Sequence, residues 1–204
     1  MNIPKENIAG LIIAGGTGQR MGGVDKCLLT LQGKPLLHYC HQRLASQVDT
    51  LALNANGSLN RFSHALADLP LMPMLPDSPP SAGPLSGIIA GLTWLQSLPH
   101  CWLLTAPADS PFFPDDLAAR LSAGLGMKST LAVASEQGQM HPLFGLWHKS
   151  LLPALQEAYR DDQHKLQHLV RELGGIQVDI ADAGHGFFNI NTAEDLARAK
   201  ALMH

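Results

Sequence analysis

A run of apolar residues that breaks into glycines near the start of the chain constrains the fold most. Residues 8–14 have the length and composition of a fully buried β-strand, and Gly15 and Gly16 follow directly. Because glycine has no Cβ, backbone N–H groups there can approach phosphate oxygens closely. Open α/β sheets bind ligands where such loops leave the carboxyl ends of their strands. The segment therefore predicts a phosphate-binding loop after the first strand of an α/β domain.

Three glycine-rich phosphate motifs compete for this loop. A Walker A loop requires Lys-Ser/Thr after its last glycine, but Val24 and Asp25 follow Gly23. A dinucleotide fingerprint requires a third glycine where Met21 stands, so that motif is incomplete. The third candidate, the nucleotidyltransferase signature G-G-x-x-x-R-M-G-x-x-D-K, matches residues 15–26. The loop is thus predicted to hold a nucleoside triphosphate.

The chain as a whole resembles the molybdenum cofactor guanylyltransferases, also called molybdopterin-guanine dinucleotide synthases. The resemblance runs over nearly the full length, and its more specific parts are R-M-G-G-V-D-K at 20–26 and G-P-L-S-G at 83–87. Shorter matching segments lie at 54–56, 77–78, 107–109, 141–142 and 189–192. The resemblance implies transfer of GMP from GTP to molybdopterin carrying molybdenum, with release of pyrophosphate and formation of molybdopterin guanine dinucleotide.

Composition and charge argue against several other classes of protein. The 204 residues suffice for one sizeable core, and a net charge of −3 without a basic cluster argues against nucleic-acid binding. No apolar run is long enough for a membrane helix, and the start lacks the apolar core of a secretion signal, so we expect a cytoplasmic protein. Cys27, Cys40 and Cys101 match neither a zinc site nor a disulfide framework and are expected as free, buried thiols.

Apolar runs of strand length alternate with amphipathic stretches along the chain. This alternation predicts a mostly parallel sheet with helices on both faces, as one three-layer α/β/α domain of Rossmann-like type over 1–204. The resemblance implies the nucleotide-diphospho-sugar transferase type, with a GTP-binding half over 1–110 and a molybdopterin-binding half over 111–204. Predicted strands cover 8–14, 50–54, 71–75, 101–106, 129–135, 143–147 and 176–180. Predicted helices cover 35–47, 59–66, 85–97, 114–124 (with Asp115 and Asp116 in its first turn), 151–160, 164–173 and a last one capped by Thr192.

The charged residues after the glycines and after a later strand are the catalytic candidates. We assign Lys26 to the α- and β-phosphates and Arg20 to the β- and γ-phosphates or the departing pyrophosphate, because nucleotidyl transfer depends mainly on positioning and charge stabilisation. Asp25 is expected to orient one of these cations. Asp109 follows a predicted strand and is the candidate ligand for Mg²⁺, which prefers oxygen. The alternative is an aspartate that only forms a turn.

Further GTP contacts are implied by the resemblance. The implied GTP-binding residues are Ile13, Ala14, Gly15, Gly16, Lys26, Asn54, Asp77 and Asp109. Asp77 accepts hydrogen bonds either from guanine or from a ribose hydroxyl, and a carboxylate that accepts from both N1–H and the 2-amino group would select guanine over adenine. Asn54 is either a nucleotide contact or a polar strand terminus. The helix that Gly83 opens either points its N–H groups at the nucleotide or simply starts there.

The second half carries the residues implied for molybdopterin, which are His141, Pro142, Asn189 and Asn191. Asn189 and Asn191 alternate on a short extended run and so face one side, although Asn191 could instead cap the turn before Thr192. A proton-transfer role for His141 is the weaker alternative, since the attacking phosphate is already an anion.

The segment before the penultimate helix departs from the family pattern, which is richer in arginine there. Lys165 is the candidate that replaces those arginines in binding the molybdopterin phosphate. Asp161 and Asp162, which precede it, would repel that phosphate.

Other functions stay open at this point. A related transferase using CTP on the same cofactor, or a sugar phosphate as acceptor, differs only in its substrate; Asp77 favours GTP. A non-catalytic carrier of the cofactor would have less need of Asp109 and Lys26, and an NAD(P) oxidoreductase lacks its fingerprint. Expected partners are GTP, molybdenum-bound molybdopterin and chaperones of molybdoenzymes, with Mg²⁺ as cofactor and neither nucleic acid nor membrane.

Overall fold

The computed structural model of the chain describes residues 2–14, 25–58, 62, 67–80, 83–180 and 184–203. The strands are β1 (Ile8–Ile13), β2 (Thr30–Leu31), β3 (Lys34–Pro35), β4 (Thr50–Asn54), β5 (Met74–Leu75), β6 (Trp102–Pro107), β7 (Leu131–Glu136), β8 (Gln139–His148) and β9 (Ile176–Asp179). The helices are α1 (Leu36–Ala45), α2 (Pro84–Leu95), α3 (Leu117–Gly124), α4 (Leu152–Arg160), α5 (Leu166–Glu172) and α6 (Ala193–Leu202). Among the predicted features, Gly15, Gly16, Arg20 and nearly all of the helix at 59–66 lie outside the described residues.

Seven strands form one sheet in the order β5-β4-β1-β6-β8-β7-β9. All neighbouring pairs are parallel except those that involve β8, which runs antiparallel to both β6 and β7. The prediction of a mostly parallel sheet is therefore confirmed. A separate ribbon of β2 and β3 turns through Gln32 and Gly33, both at positive φ (47° and 81°), as a tight two-residue hairpin requires.

Strand β1 is buried along its whole length because helices cover both faces of the sheet. Its alternate side chains enter two cores: Ile8 and Ile12 pack in one with residues of α1 and α3, and Leu11 in the other with residues of α2, α4 and α5. The three-layer prediction is confirmed by this arrangement. No helix within the described ranges has both the length and the apolar character that crossing a bilayer requires.

A third, smaller core attaches the last helix to the ribbon. Leu31 and Leu36 pack there with Ile190 and with Ala199 of α6. This contact holds the segment before α6 close to the segment that carries Lys26, which is the basis of the site described below.

Three predicted element boundaries are wrong. Strand β5 begins at Met74 rather than 71, after Pro73, which has no N–H to donate to the sheet. Helix α3 begins at Leu117, so Asp115 and Asp116 precede its first turn, and the Asp116 carboxylate accepts a 2.7 Å hydrogen bond from Nε of Arg120. Strand β8 begins at Gln139 rather than 143, because Gln137 and Gly138 adopt positive φ (50° and 80°) and close a hairpin with β7.

The predicted thiols are free, and two of the three are buried. Cys27 and Cys40 are buried, while Cys101 is only partly so. Burial raises the pKa of the Cys40 thiol, and the nearby carboxylate of Asp109 acts in the same direction.

Candidate active site at the carboxyl edge of the sheet

Four parallel strands end at the same edge of the sheet, and the predicted nucleotide residues lie along it. Beyond the strands, the N–H of Ala14 donates to the carbonyl of Asn54 (2.9 Å) and the N–H of Ala108 donates to the carbonyl of Ile13 (2.9 Å). The edge therefore presents, in order, Asp77 after β5, Asn54 on β4, Ala14 after β1 and the residues after β6. This is where doubly wound α/β sheets bind their ligands.

Asp109 lies just beyond β6, largely removed from solvent. Its carboxylate lies beside the Ser110 hydroxyl (3.3 Å), and its carbonyl accepts from the N–H of Ile190 (2.9 Å). Burial raises the pKa of Asp109, because a desolvated carboxylate resists ionisation; the positive charge of Lys26 and the Ser110 hydroxyl oppose this shift without cancelling it. A cation placed against such a carboxylate stabilises its ionised form.

Lys26 supplies one positive charge beside Asp109. It opens a single turn of 3₁₀-helix (Lys26–Leu28), and its Nζ donates a 2.7 Å hydrogen bond to Oδ1 of Asn191. Its charge is close enough to Asp109 to act on that carboxylate. An ammonium carries three donors, so this bond leaves two for phosphate oxygens.

The run from Asn189 to Asn191 belongs to the second half of the chain but meets residues of the first. Oδ1 of Asn189 accepts a hydrogen bond from the Ser110 hydroxyl, next to Asp109. The two asparagine side chains thus contact the surroundings of Asp109 and Lys26. GTP-binding and molybdopterin-binding candidates from the two predicted halves therefore meet at one place.

The alternative that Asn191 caps the following turn is wrong, because Asp195 performs that role. The N–H groups of Asn191 and Thr192 donate to Oδ2 of Asp195 at 2.9 and 3.0 Å, and the N–H of Asp195 donates to Oγ1 of Thr192 at 3.1 Å. This capping box confirms Thr192 as the cap of α6. The bond from Asn191 is the largest cause that lowers the pKa of Asp195.

Asp77 is held by two asparagines at the far end of the same edge. Its Oδ1 accepts from Nδ2 of Asn54 (2.9 Å) and its Oδ2 accepts from Nδ2 of Asn56 (2.6 Å). Asn54 is fully buried, so its side chain serves Asp77 and the carbonyl of Leu75 (3.1 Å). The structure therefore favours an indirect role for Asn54. Asn56 was not predicted as a site residue, although it lies two positions from Asn54 on the same side of an extended segment.

Helix α2 opens as predicted, with Gly83 at φ 66° before it and Pro84 in its first turn. Its amino end faces the same edge of the sheet because it follows directly from the segment after β5. Whether its N–H groups meet the nucleotide stays a prediction.

A cleft of about 520 Å³ lies near Asp109, because Asn189 both lines the cleft and accepts a hydrogen bond from Ser110. Its lining includes Pro107, His141, Pro142 and Asn189, so three of the four residues predicted for molybdopterin meet there. Burial lowers the pKa of His141, and the ring stacks on Phe187 at 4.8 Å between centroids. A neutral, stacked imidazole suits a contact surface better than proton transfer.

The wall of the cleft that carries Pro142 is a bulge in β8. The register of β7 on β8 jumps from Gly145 to His141, so residues 142–144 have no partner in that ladder. Thr105, buried in β6, holds the bulge by donating to the carbonyl of Leu143 (2.8 Å). Proline at the bulge costs no ladder hydrogen bond.

Basic side chains also line this cleft. Lys165, His168 and Arg171 are spaced by three residues at and along α5, so they share one face, and all three line the cleft. Lys165 was predicted; His168 and Arg171 were not, although this spacing in a predicted helix was the available signal. Asp162 does not line the cleft, and its carboxylate is 95% exposed, 3.5 Å from His164.

No group of three or more metal-ligating side chains occurs in the part of the chain that the structure describes. His38 and His41 on α1 have pKa values lowered mainly by burial, and Nζ of Lys34 lies 3.2 Å from Nε2 of His38. The positive charge of Lys34 beside His38 disfavours the binding of a metal cation by His38 and His41. Mg²⁺ typically takes one or two carboxylates together with phosphates and water, so Asp109 fits that ion.

Comparisons with known proteins identify the family and the type of fold. A family profile described as a MobA-like NTP transferase domain matches residues 10–177. The molybdenum cofactor guanylyltransferase of Cereibacter sphaeroides is 42% identical over 194 residues, which cover 95% of this chain and 96% of the relative. The protein of the same name from Vibrio cholerae is 37% identical over 193 residues, covering 94% and 91%.

Solved structures share the fold at lower identity. Molybdopterin-guanine dinucleotide biosynthesis protein A from Archaeoglobus fulgidus superposes with a TM-score of 0.75 at 20% identity, covering 96% of this chain and 98% of that one. A 4-diphosphocytidyl-2C-methyl-D-erythritol synthase from Anaerococcus prevotii gives 0.72 at 17% identity, covering 98% and 96%. These matches confirm the nucleotidyltransferase type of fold.

Proposed function

The chain belongs to the family of molybdenum cofactor guanylyltransferases, with a MobA-like NTP transferase domain, and from this premise we propose that it transfers GMP from GTP to molybdenum-bound molybdopterin through Lys26 and Asp109. The observation that carries the proposal is the convergence of these two residues with Asn191 at the carboxyl edge of the sheet. Nucleotidyl transfer requires fixed charge at the reacting phosphorus, which these two residues are placed to supply.

The reaction joins two phosphates. A terminal phosphate oxygen of molybdopterin attacks the α-phosphorus of GTP, the bond from the α-phosphorus to the bridging oxygen of the β-phosphate breaks, and pyrophosphate leaves with the electron pair. The attacking oxygen is already anionic, so no side chain has to remove a proton. Positioning and charge neutralisation are therefore the tasks left to the protein.

Lys26 and Asp109 perform these tasks at adjacent positions. The free donors of the Lys26 ammonium bind oxygens of the α- and β-phosphates and stabilise the charge that grows on the leaving group. Asp109 would hold Mg²⁺, which when bound neutralises phosphate charge as a Lewis acid. Arg20 is assigned to the departing pyrophosphate. Ile13, Ala14, Gly15 and Gly16 are proposed as further contacts of GTP.

The cleft beyond β6 is proposed to receive the acceptor. His141, Pro142 and Asn189 line it, and Asn189 bonds Ser110, the neighbour of Asp109, so an acceptor there would hold its phosphate toward the α-phosphorus of GTP. Lys165 and Arg171, which also line the cleft, attract an anionic acceptor. Its lining mixes these polar groups with apolar side chains, as suits a flat, partly apolar pterin.

Release of pyrophosphate from GTP in the presence of Mg²⁺ and molybdenum-loaded molybdopterin tests the proposal. We expect turnover with GTP and far less with CTP or ATP, and loss of turnover in Lys26→Ala and Asp109→Ala proteins. Asp115→Ala, at an exposed position outside the site, is the matched control. Unchanged turnover in either active-site variant, or equal turnover with CTP, would contradict the proposal.

The cellular setting is proposed from the state of the cysteines. Three cysteines without disulfide bonds fit the reducing cytoplasm. Chaperones of molybdoenzymes are proposed to receive the product, and co-purification of this protein with such a chaperone, dependent on bound product, would test that step.

A further inference from the structure

The carboxylate of Asp77 is fixed on both of its oxygens. Asn54 donates to Oδ1 (2.9 Å) and Asn56 donates to Oδ2 (2.6 Å). Each carboxylate oxygen has two acceptor sites, so each keeps one that these asparagines do not use. A carboxylate with one acceptor site left on each oxygen can receive two N–H donors side by side. That arrangement matches two parallel N–H donors on one edge of a ligand.

Asn56 holds Asp77 at two points. Besides the bond to Oδ2, its own Oδ1 accepts from the N–H of Asp77 at 2.8 Å. The amide of Asn56 therefore bonds both the backbone and the carboxylate of the same residue, which restricts the rotation of the Asp77 side chain. Asn56 itself is exposed, so this clasp is a surface feature and contributes little to the core.

Asn54 anchors the other oxygen from inside the protein. It is fully buried, and its Oδ1 has no hydrogen-bond partner among the described residues. That oxygen lies against Gly87 of α2, where any Cβ would collide with it. The absence of a side chain at Gly87 thus makes room for the amide that holds Asp77.

The clasp lies where the base of a bound nucleotide would reach. Asp109 follows β6 and Asp77 follows β5, and β1 and β4 lie between these strands. The three strand spacings amount to roughly 14 Å, a distance comparable with the length of an extended nucleotide. With the phosphates at Lys26 and Asp109, the nucleobase lies toward Asp77.

We propose that Asn56, together with Asn54, is a positioning residue that makes Asp77 selective for guanine. The two free acceptor sites of Asp77 receive the N1–H and the 2-amino group of the base, and Asn56 keeps them in the plane of the ring. Adenine offers an acceptor at N1 and no 2-amino group, so it leaves the carboxylate unpaired. This inference rests on the proposed function, since it presumes GTP in the site.

Comparison of GTP with ITP isolates the 2-amino group, which ITP lacks. The measurement is the ratio of dissociation constants, ITP over GTP, by calorimetry with Mg²⁺ for the wild type, Asn56→Ala, Asp77→Ala and the double variant. We expect Asp77→Ala to bring the ratio close to one. Asn56→Ala should lower the ratio by roughly five- to tenfold, or to near one where the wild-type ratio is itself no larger than that. In the double variant the ratio should equal that of Asp77→Ala alone, because Asn56 acts through Asp77.

Asn2→Ala, at an exposed position near the start of the chain, is the control and should keep the wild-type ratio. A wild-type ratio in the Asn56→Ala protein would overturn the inference, as would a further change in the double variant. If the wild type releases pyrophosphate from GTP while the ratio is insensitive to Asn56, this inference alone fails. If the wild type releases none, the proposed function fails as well.

Discussion

Nζ of Lys26 lies 2.7 Å from Oδ1 of Asn191, across 165 positions of sequence. The bond exists because α6 packs on the β2–β3 ribbon through Leu31 and Ala199, which brings the two segments together. Asn191 therefore fixes the direction of a flexible ammonium before any phosphate arrives, and preorganised charge is what stabilises a transition state.

Removal of this bond should weaken GTP binding without abolishing it. We expect Asn191→Ala to raise the dissociation constant for GTP with Mg²⁺ by roughly three- to tenfold, because Lys26 loses one charged hydrogen bond that orients it. Lys26→Ala should cost more, and the double variant should lose nothing beyond Lys26→Ala. Calorimetry measures all three; Lys200→Ala, at an exposed position of α6, is the control. Additive losses would show that Asn191 acts on its own.

Replacement of Asp109 by asparagine should abolish most activity. The amide keeps the shape but not the charge that holds a divalent cation, so we expect a fall in kcat of roughly a hundredfold or more. Pyrophosphate release over a range of Mg²⁺ concentrations is the measurement. Higher Mg²⁺ should not restore the variant. The exposed Asp115→Asn protein should behave like the wild type.

The same substitution should stabilise the fold at neutral pH. Burial raises the pKa of Asp109, so the carboxyl group favours folding while it is protonated, and that contribution is lost as the pH rises through the raised pKa. Asp109→Asn should therefore melt at a higher temperature than the metal-free wild type at pH 7.5, and the difference should shrink as the pH falls below both pKa values. Mg²⁺ should raise the melting temperature of the wild type only. A variant that melts lower at pH 7.5 would refute this reasoning.

The basic wall of the cleft should act on the acceptor and not on GTP. Arg171→Ala should raise the KM for the molybdopterin substrate by roughly three- to tenfold, because it removes one cation from a partly exposed anion site. The dissociation constant for GTP should stay unchanged in calorimetry, since Arg171 lines the cleft proposed for the acceptor and not the edge proposed for the nucleotide. Arg160→Ala, on α4 outside this cleft, is the matched control. Weaker GTP binding in Arg171→Ala would place the nucleotide in the cleft instead.

A methyl group at Gly87 should disturb the fold through Asn54. Because a Cβ there meets Oδ1 of a buried amide, we expect Gly87→Ala to cost about 1–3 kcal/mol in the free energy of unfolding. Alanine is otherwise a better helix former than glycine, so an exposed substitution on the same helix, Thr93→Ala, should not destabilise. Chemical denaturation compares the two. A stabilised Gly87→Ala protein would mean that the Asn54 side chain moves aside at little cost in free energy.

Local patterns predicted the elements well where the signal lies within a few residues. The buried strands β1, β4 and β6 were predicted within one or two residues, because a fully apolar run bounded by turn residues has few other uses. The cap at Thr192 followed from the acids in the next turn. The starts of α3 and β8 were missed, because a carboxylate can bond a nearby arginine instead of capping a helix, and Gln137 adopts positive φ without being glycine.

The sequence by itself determined the glycine-rich motif, the position of an acid after β6 and the family, since these depend on residue types in fixed order along the chain. Only the tertiary structure decided that Asn191 contacts Lys26, that Asn56 clasps Asp77, and that Arg171 faces the cleft. The physical reason is that a hydrogen bond requires two groups within about 3 Å, and no local rule tells which distant segments the packing of apolar side chains will bring that close.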